Sequence, residues 1–333
     1  MSSVGFPDTL RFARLSSNLA EIQERSARLR SELVSGRVSD VNRALGARAG
    51  DAHLIRKAID DAVDAASASQ RAQSRASASQ LVLAQIGADA SEIGPDATSA
   101  IGLSDEAKLV VSGERARAAL SDAFAQLNQR YEGRSLFAGD AVDSPALNDV
   151  DVLLADVAAI IDSAPDVASA QVNLDTYFND PAGGFETSIY LGGLGDGPEV
   201  ELFDGSRVQY SVRANDQSLK DLLRSYAELA VSASRPPSPD RNTLANDAAT
   251  RLIGADAGLA QTRATLGVAE ERLAQSVEIY EAEQGALSGT YNDRTAIDSF
   301  ETATELRQLE NQLEAAFVLT ARIASLSLTN FLR

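Results

Sequence analysis

Six residues spaced seven apart, Leu252, Leu259, Leu266, Leu273, Tyr280 and Leu287, run through the C-terminal part of the chain, with Ala255, Thr262, Ala269 and Ser276 three residues after the first four. A seven-residue apolar repeat held this long keeps one stripe on one side of a helix. It therefore predicts a long coiled-coil-like helix that must be covered by other helices. The six side chains are the expected intrachain coiled-coil core. At about 1.5 to 3 kcal/mol each when fully buried, they contribute on the order of 10 kcal/mol before ordering entropy is subtracted.

The same period recurs at the other end. Leu15, Leu19, Ile22, Leu29 and Leu33 alternate four and three apart once Ser26 fills the gap, and Ser35-Gly36-Arg37 supplies the stop, since Gly takes the left-handed conformation of a helix C-cap. A second helix is predicted from about Ala44 to Ile86, carrying Ile55, Ile59, Ala62 and Ala66, with a Gly- and Pro-containing break from Gly87 to Gly102. A third, from Ser104 to about Tyr131, carries Leu109, Ala116, Leu120, Ala123 and Leu127. A helix with Leu219, Leu222, Leu223, Tyr226 and Leu229 is closed by Pro236-Pro237-Ser238-Pro239, and a last one begins near Ala296 with Leu306, Leu309 and Leu313. A chain that is 44% hydrophobic but only 5% aromatic suits such closely packed helices.

Between Asp140 and Ser206 there are fourteen acidic residues and no Lys or Arg, which accounts for most of the net charge of −18. Leu153, Val157, Ile160 and Ile161 predict a helix there. Glu186 to Leu191 and Glu199 to Phe203 read as strands, the latter turning at Asp204-Gly205 into a partner strand from Ser206 to Arg213. The expected fold is mainly α: a long antiparallel coiled-coil-like helical bundle built from both termini, with a small α+β outer domain. Its parts are an N-terminal helical segment (1–43) pairing with the C-terminus, two halves of a helical core domain (44–139 and 215–295), the acidic domain (140–214) and a C-terminal assembly helix (296–333).

The composition excludes several chemistries. With no Cys and one His, a structural zinc site, an iron–sulfur cluster, a disulfide framework and a cysteine nucleophile are out of reach of one chain. Lys57, Lys108 and Lys220 all lack a preceding Gly, so there is no phosphate-binding Gly-Lys-Ser/Thr loop. The acidic balance repels nucleic acid and anionic lipid. His53 beside Asp51 lacks a positioned nucleophile, and one imidazole cannot form a His-Glu-x-x-His metal site. Asp149-Val150-Asp151 and Asp196 with Glu199 lack a calcium-loop spacing and read as solvated acidic surface. Gly192-Gly193-Leu194-Gly195-Asp196-Gly197 opens no predicted helix, which makes it a loop rather than a dinucleotide turn. No catalytic, cofactor-binding or metal-binding residue is expected.

Ala315 to Leu332 carries Arg322 as its one charge, but Thr320, Ser325, Ser327, Thr329 and Asn330 make it too polar for a membrane span, so it reads as a protein-packing helix. At about 100° per residue, Phe317, Leu328 and Phe331 share one face, while Leu319, Ile323 and Leu326 share the opposite one. The N-terminal seam can cover one face only. The expected assembly interface is therefore Leu15, Leu19, Ile22, Leu29, Leu33, Leu313, Phe317, Leu319, Ile323, Leu326, Leu328 and Phe331. The stretch from Met1 to Phe12 has no pattern of a cleaved secretory signal.

Four local motifs, in order, resemble the flagellin family. Ser35-Gly36-Arg37 is similar to the family's small-Gly-basic turn after the first helix. Gly133-Arg134-Ser135-Leu136-Phe137-Ala138-Gly139 resembles the Gly-Arg-Tyr-Leu-Phe-Ser-Gly stretch of its hook-associated junction proteins. Arg263-Ala264-Thr265-Leu266-Gly267 matches an Arg-x-x-Leu-Gly motif, and Ser327-Leu328-Thr329-Asn330-Phe331-Leu332 resembles the Ser-Leu-x-x-aromatic-Leu terminus. After the first turn, Ser39-Asp40-Val41-Asn42-Arg43 departs from the family's Asp-Asp-Pro or Asp-Asp-Ala. The resemblance covers roughly residues 10 to 140 and 215 to 333. It implies a non-enzymatic subunit of the bacterial flagellum at the hook–filament junction, exported uncleaved through the flagellar type III apparatus. Its implied partners are further copies of itself in a homo-oligomeric ring, the neighbouring hook-associated protein, flagellin and a cytosolic export chaperone. Filament flagellin is the alternative within the family, and an enzyme borne on the acidic domain is the alternative outside it.

Overall fold

The computed structural model describes the backbone of residues 6–331 except 196, and the side chains of 13–322 with the same exception. The described chain is mainly helical and forms two compact units, one drawn from both chain ends, up to Val63 and from Glu281, and the other from Asp64–Tyr280.

The first unit holds α1 (Phe6–Ser35), α2 (Val41–Leu45), the start of α3 (Ala49–Gly102), the end of α8 (Pro239–Thr295) and α9 (Ser299–Phe331). Gly36, at φ +70°, ends α1 with its N–H on the Glu32 carbonyl at 2.8 Å. Only Gly adopts this conformation without strain. The last helix starts three residues later than the sequence suggests, because the chain before it is held extended. Arg37 and Ala296 form an antiparallel bridge, Val38 N–H donates to the Thr295 carbonyl at 2.9 Å, and Ile297 N–H donates to Gly36 at 3.2 Å. Asp298 then caps α9, accepting from the N–H groups of Phe300 (2.9 Å) and Glu301 (3.0 Å).

The second unit contains the rest of α3 and α8, together with α4 (Glu106–Leu127), the hairpin β1–β2 (Arg130–Tyr131 and Arg134–Ser135), α5 (Val150–Ser163), α6 (Val167–Asn179), the hairpin β3–β4 (Glu199–Glu201 and Arg207–Gln209) and α7 (Gln217–Ala233). Helix α7 is its centre, with every residue from Leu222 to Ala233 buried. Helix α4 lies so close that a Cβ placed on Gly113 would sit 2.2 Å from the Cβ of Ala233.

Two expectations are corrected. The break at Gly87 to Gly102 is absent: α3 runs unbroken to Gly102 with Pro95 inside it. Ile86, Ala90, Ile93, Ala97 and Ala100 are buried at helical spacing. The glycines serve packing, since a Cβ on Gly94 would meet Ile253 Cγ1 at 2.9 Å and one on Gly87 would meet Leu259 Cδ2 at 3.2 Å. Burial against α8 outweighs the lost hydrogen bond and the helix-breaking tendency of Gly94-Pro95. The strand predicted at Glu186 to Leu191 is instead a single π-helical turn, Phe185–Ile189, followed by an isolated bridge between Tyr190 and Leu147. Phe185 and Ile189, four apart, both enter the core, a spacing that an alternating strand pattern does not distinguish. The other hairpin forms shorter than predicted, with Val200 opposite Val208 and Gly205 at φ +76° in the turn.

Candidate assembly surface

Helix α1 packs along α9. On this seam Ser26, Leu29, Thr302 and Leu309 are buried, while Leu15, Leu19, Ile22, Leu33 and Leu313 are half-buried. Arg25 pairs with Glu305, and Arg30 with Glu310 at 2.7 Å. Both pairs are solvent-exposed, so together they contribute little beyond register. The next turn of α9 is more open: Phe317 is 47% exposed and Val318 and Leu319 are each 51% exposed. The side chains of Ile323, Leu326, Leu328 and Phe331 lie outside the described residues.

Along α8 the heptad residues divide. Leu252, Leu259, Leu266 and Leu273 are buried, together with Ala255, Ala269 and Ser276, whereas Tyr280 and Leu287 are half-buried. The seam is a tight core over its first four repeats.

The Gly133–Gly139 stretch forms a turn and an anchor. Glu132 (φ +50°) and Gly133 (φ +78°) make the hairpin turn, and Leu136, Phe137 and Ala138 are buried. Phe137 accepts the N–H of Ala214 at 2.9 Å, and the Ala138 carbonyl accepts that of Gly193 at 2.9 Å. A Cβ on Gly139, itself at φ +61°, would lie 2.5 Å from the Gly193 carbonyl oxygen. The Gly192–Gly195 stretch is thus packed on this anchor, with Tyr190 Oη donating to Gly193 at 2.9 Å and Asp140 accepting from Gly195 N–H at 3.3 Å.

The weighed chemical candidates separate. His53 bonds through Nε2 to Asn42 Oδ1 at 2.9 Å, while the Asp51 carboxylate pairs with Arg294 at 3.2 Å. Asp149 caps α5 by accepting from Asp151 N–H at 2.9 Å, Glu199 stands exposed on β3, and Asp196 lies outside the described residues. Among the described residues no group of three or more His, Asp or Glu side chains is arranged to hold a metal. No helix among them is long and apolar enough to cross a membrane.

A buried polar network escaped the sequence reading. Glu228 on α7 is fully buried and accepts from Arg251 at 2.6 Å and from Gln171. Arg251 and Arg224 each donate to Gln171 Oε1 at 3.0 Å, and Arg224 reaches Asp175 at 3.1 Å. Burial pushes the Glu228 carboxyl above its ordinary range, against the pull of Arg251, Gln171 and Arg224. Arg224 and Glu228, four apart, resemble an ordinary exposed helical ion pair in sequence. Their burial comes from α6 and α8, which no local pattern reveals.

Residues 252–332, which span the heptad seam and almost all of α9, match the family model of the bacterial flagellin C-terminal helical region. A search of curated protein sequences returns no match. Among solved structures, one described as a flagellar hook-associated protein from Vibrio parahaemolyticus superposes with a TM-score of 0.53 at 12% identity, covering 74% of this chain and 97% of that one. Bacillus cereus FlgL aligns with a TM-score of 0.49 at 12% identity, over 72% of this chain and 98% of its own. Residues 252–332 of this chain are accordingly similar to the flagellin C-terminal helical region, and the chain shares its fold with the Vibrio parahaemolyticus structure.

Proposed function

We propose that the chain is a non-enzymatic structural subunit of the bacterial flagellar axis, placed where the hook meets the filament. The observation that carries this reading is the position of the flagellin-type region. It falls on α8 and α9, and α9 is the helix against which α1, from the opposite end of the chain, packs in a unit of its own. A two-ended helical unit with an exposed apolar turn at Phe317, Val318 and Leu319 suits assembly with further copies of itself. The resemblance of the Leu136-Phe137-Ala138-Gly139 anchor to the junction proteins, and the fold shared with a hook-associated protein, favour the junction over the filament. The proposed partners are a homo-oligomeric ring of the same chain, the neighbouring hook-associated protein, flagellin and an export chaperone, and the proposed location is extracellular, reached by type III export.

Immunogold electron microscopy on flagella of the source bacterium tests this. A single band of label at the hook–filament boundary is the expected result. Label along the whole filament would assign the chain as filament flagellin, and absence of label from an intact flagellum would overturn the axial reading altogether.

A further inference from the structure

Three arginines gather beside Tyr210 in a chain whose formal charge is −18. Arg71 and Arg75 stand one turn apart on α3, and Arg134 is on β2. Burial raises the pKa of the Tyr210 phenol, and the three guanidiniums pull against that rise without reversing it. Arg75 donates to the Ser135 carbonyl, tying α3 to the β1–β2 hairpin, and its Nε is buried without a hydrogen-bond partner. Arg71 and Arg134 are exposed. Among the described residues, no carboxylate lies within the 4.0 Å ion-pair distance of any of the three.

Acidic residues outnumber basic ones by 48 to 30, so a cationic group left without a carboxylate is the unexpected arrangement. Like charges held together cost energy through mutual repulsion, and an anionic partner would relieve that cost. The same chain offers such a partner. The first turn of α5 presents Asp149 and Asp151, both exposed, beside Val152 at 37% exposure and the exposed Ala155. Neither aspartate forms an ion pair among the described residues, and the surrounding segment from Asp140 to Ser206 holds no basic residue to neutralise them.

We propose that the patch of Arg71, Arg75 and Arg134 docks the acidic start of α5, Asp149 and Asp151, of a second copy of this chain. The two patches differ, so the contact is heterologous. Each copy can then use both and pass the contact on around a ring or along a fibre, instead of closing as a two-fold dimer. The proposal rests on the reading of the chain as an assembling subunit. It is tested in solution, so it can fail while the flagellar location stands, and the reverse.

The chain has no Cys, so introduced thiols report a contact unambiguously. Ser74→Cys lies exposed between Arg71 and Arg75, and Ala155→Cys lies one turn beyond Asp151, leaving every charge in place. The two full-length variants are mixed and oxidised. The expected product is a mixed disulfide dimer, formed far less by a control pairing of Ala155→Cys with the exposed Ser91→Cys, and suppressed as salt rises from about 0.1 to about 1 M and the Debye length falls from about 10 to about 3 Å. Adding Arg134→Glu to the first variant should cut the yield about tenfold, and adding Asp151→Arg to the second should restore it, a rescue that a merely misfolded variant would not show. Yield equal to the control pair, insensitivity to salt, or failure of the charge swap would each overturn the proposal. So would a patch stabilised by inorganic phosphate, read as a higher melting temperature in the wild type but not in Arg134→Glu, with no copy-to-copy disulfide.

Discussion

Gly113→Ala probes the closest helix contact in the second unit. The added methyl would lie 2.2 Å from the Cβ of Ala233, 3.5 Å from the Leu229 carbonyl oxygen and 3.6 Å from the Ala233 Cα. Both colliding carbons are fixed by their backbones, so no rotamer change relieves the overlap; α4 and α7 must part by more than an ångström. That would loosen the packing of Leu109, Ala116 and Leu120 beside Leu222, Tyr226 and Leu229, all of them buried. Overpacking of this kind costs about 1 to 3 kcal/mol, and the backbone origin of the clash puts it at the upper end. The gain in helix propensity from Gly to Ala offsets about 1 kcal/mol, leaving a net loss of about 2 kcal/mol. Ala233→Gly, at the last position of α7, should cost about 1 kcal/mol by itself. In the double variant the methyl has moved from one helix to the other, so stability should return to within about 1 kcal/mol of wild type, and the cycle should show a coupling of about 3 kcal/mol. Urea unfolding followed by far-UV circular dichroism measures this as a shift of midpoint at constant slope. A Gly113→Ala protein as stable as wild type, or a double variant no better than Gly113→Ala alone, would refute the reasoning.

Glu228→Ala strands Arg224 and Arg251 without their shared carboxylate, and should lower stability by about 3 to 5 kcal/mol in thermal melts, far more than removal of the exposed Arg30–Glu310 pair. The Asp166 carboxylate caps α6, and its hydrogen bonds to Ser169 hold its pKa below the ordinary value; its contribution is therefore present above the unfolded carboxylate pKa and is lost as pH falls through the depressed one. The melting temperatures of wild type and Asp166→Ala should then differ most at neutral pH and converge in acid. Leu319→Glu changes an exposed position and should leave monomer stability within about 0.5 kcal/mol while impairing incorporation into flagella, scored by immunolabelling.

The helices were legible wherever burial writes a period into the chain. Leu252, Leu259, Leu266 and Leu273 repeat every seven residues because one face of α8 is covered along that length, and all four are buried. Periodicity says less about how deep the cover is. Tyr280 and Leu287 continue the repeat without a break, yet are only half-buried, because the spacing of apolar side chains reports which side of a helix faces a partner and not how closely the partner approaches. The same limit explains the misread break in α3. Gly94-Pro95 are helix breakers by local energetics, and only the closeness of Ile253 shows that a side chain at 94 would have kept α8 away.

The polar network at Glu228 marks the deeper limit. An exposed Arg–Glu pair four apart on a helix is worth a few tenths of a kcal/mol, and sequence offers no reason to treat Arg224 and Glu228 otherwise. What changes their weight is the arrival of Gln171 and Asp175 from α6 and Arg251 from α8, which remove water from a carboxylate and then replace its hydrogen bonds. Once desolvated, the pair carries a cost for being broken that is several times larger than any local pattern implies. The arginine patch at Tyr210 arises in the same way but with the opposite outcome. The β1–β2 hairpin, itself positioned by the buried Leu136-Phe137-Ala138 anchor, brings Arg134 to the two α3 arginines, and among the described residues no carboxylate pairs with them. Where the fold supplies the counter-charge it gains internal rigidity. At the patch it leaves that charge to be supplied by a partner, and so a surface set by two separated stretches of chain becomes the place to look for the neighbouring subunit.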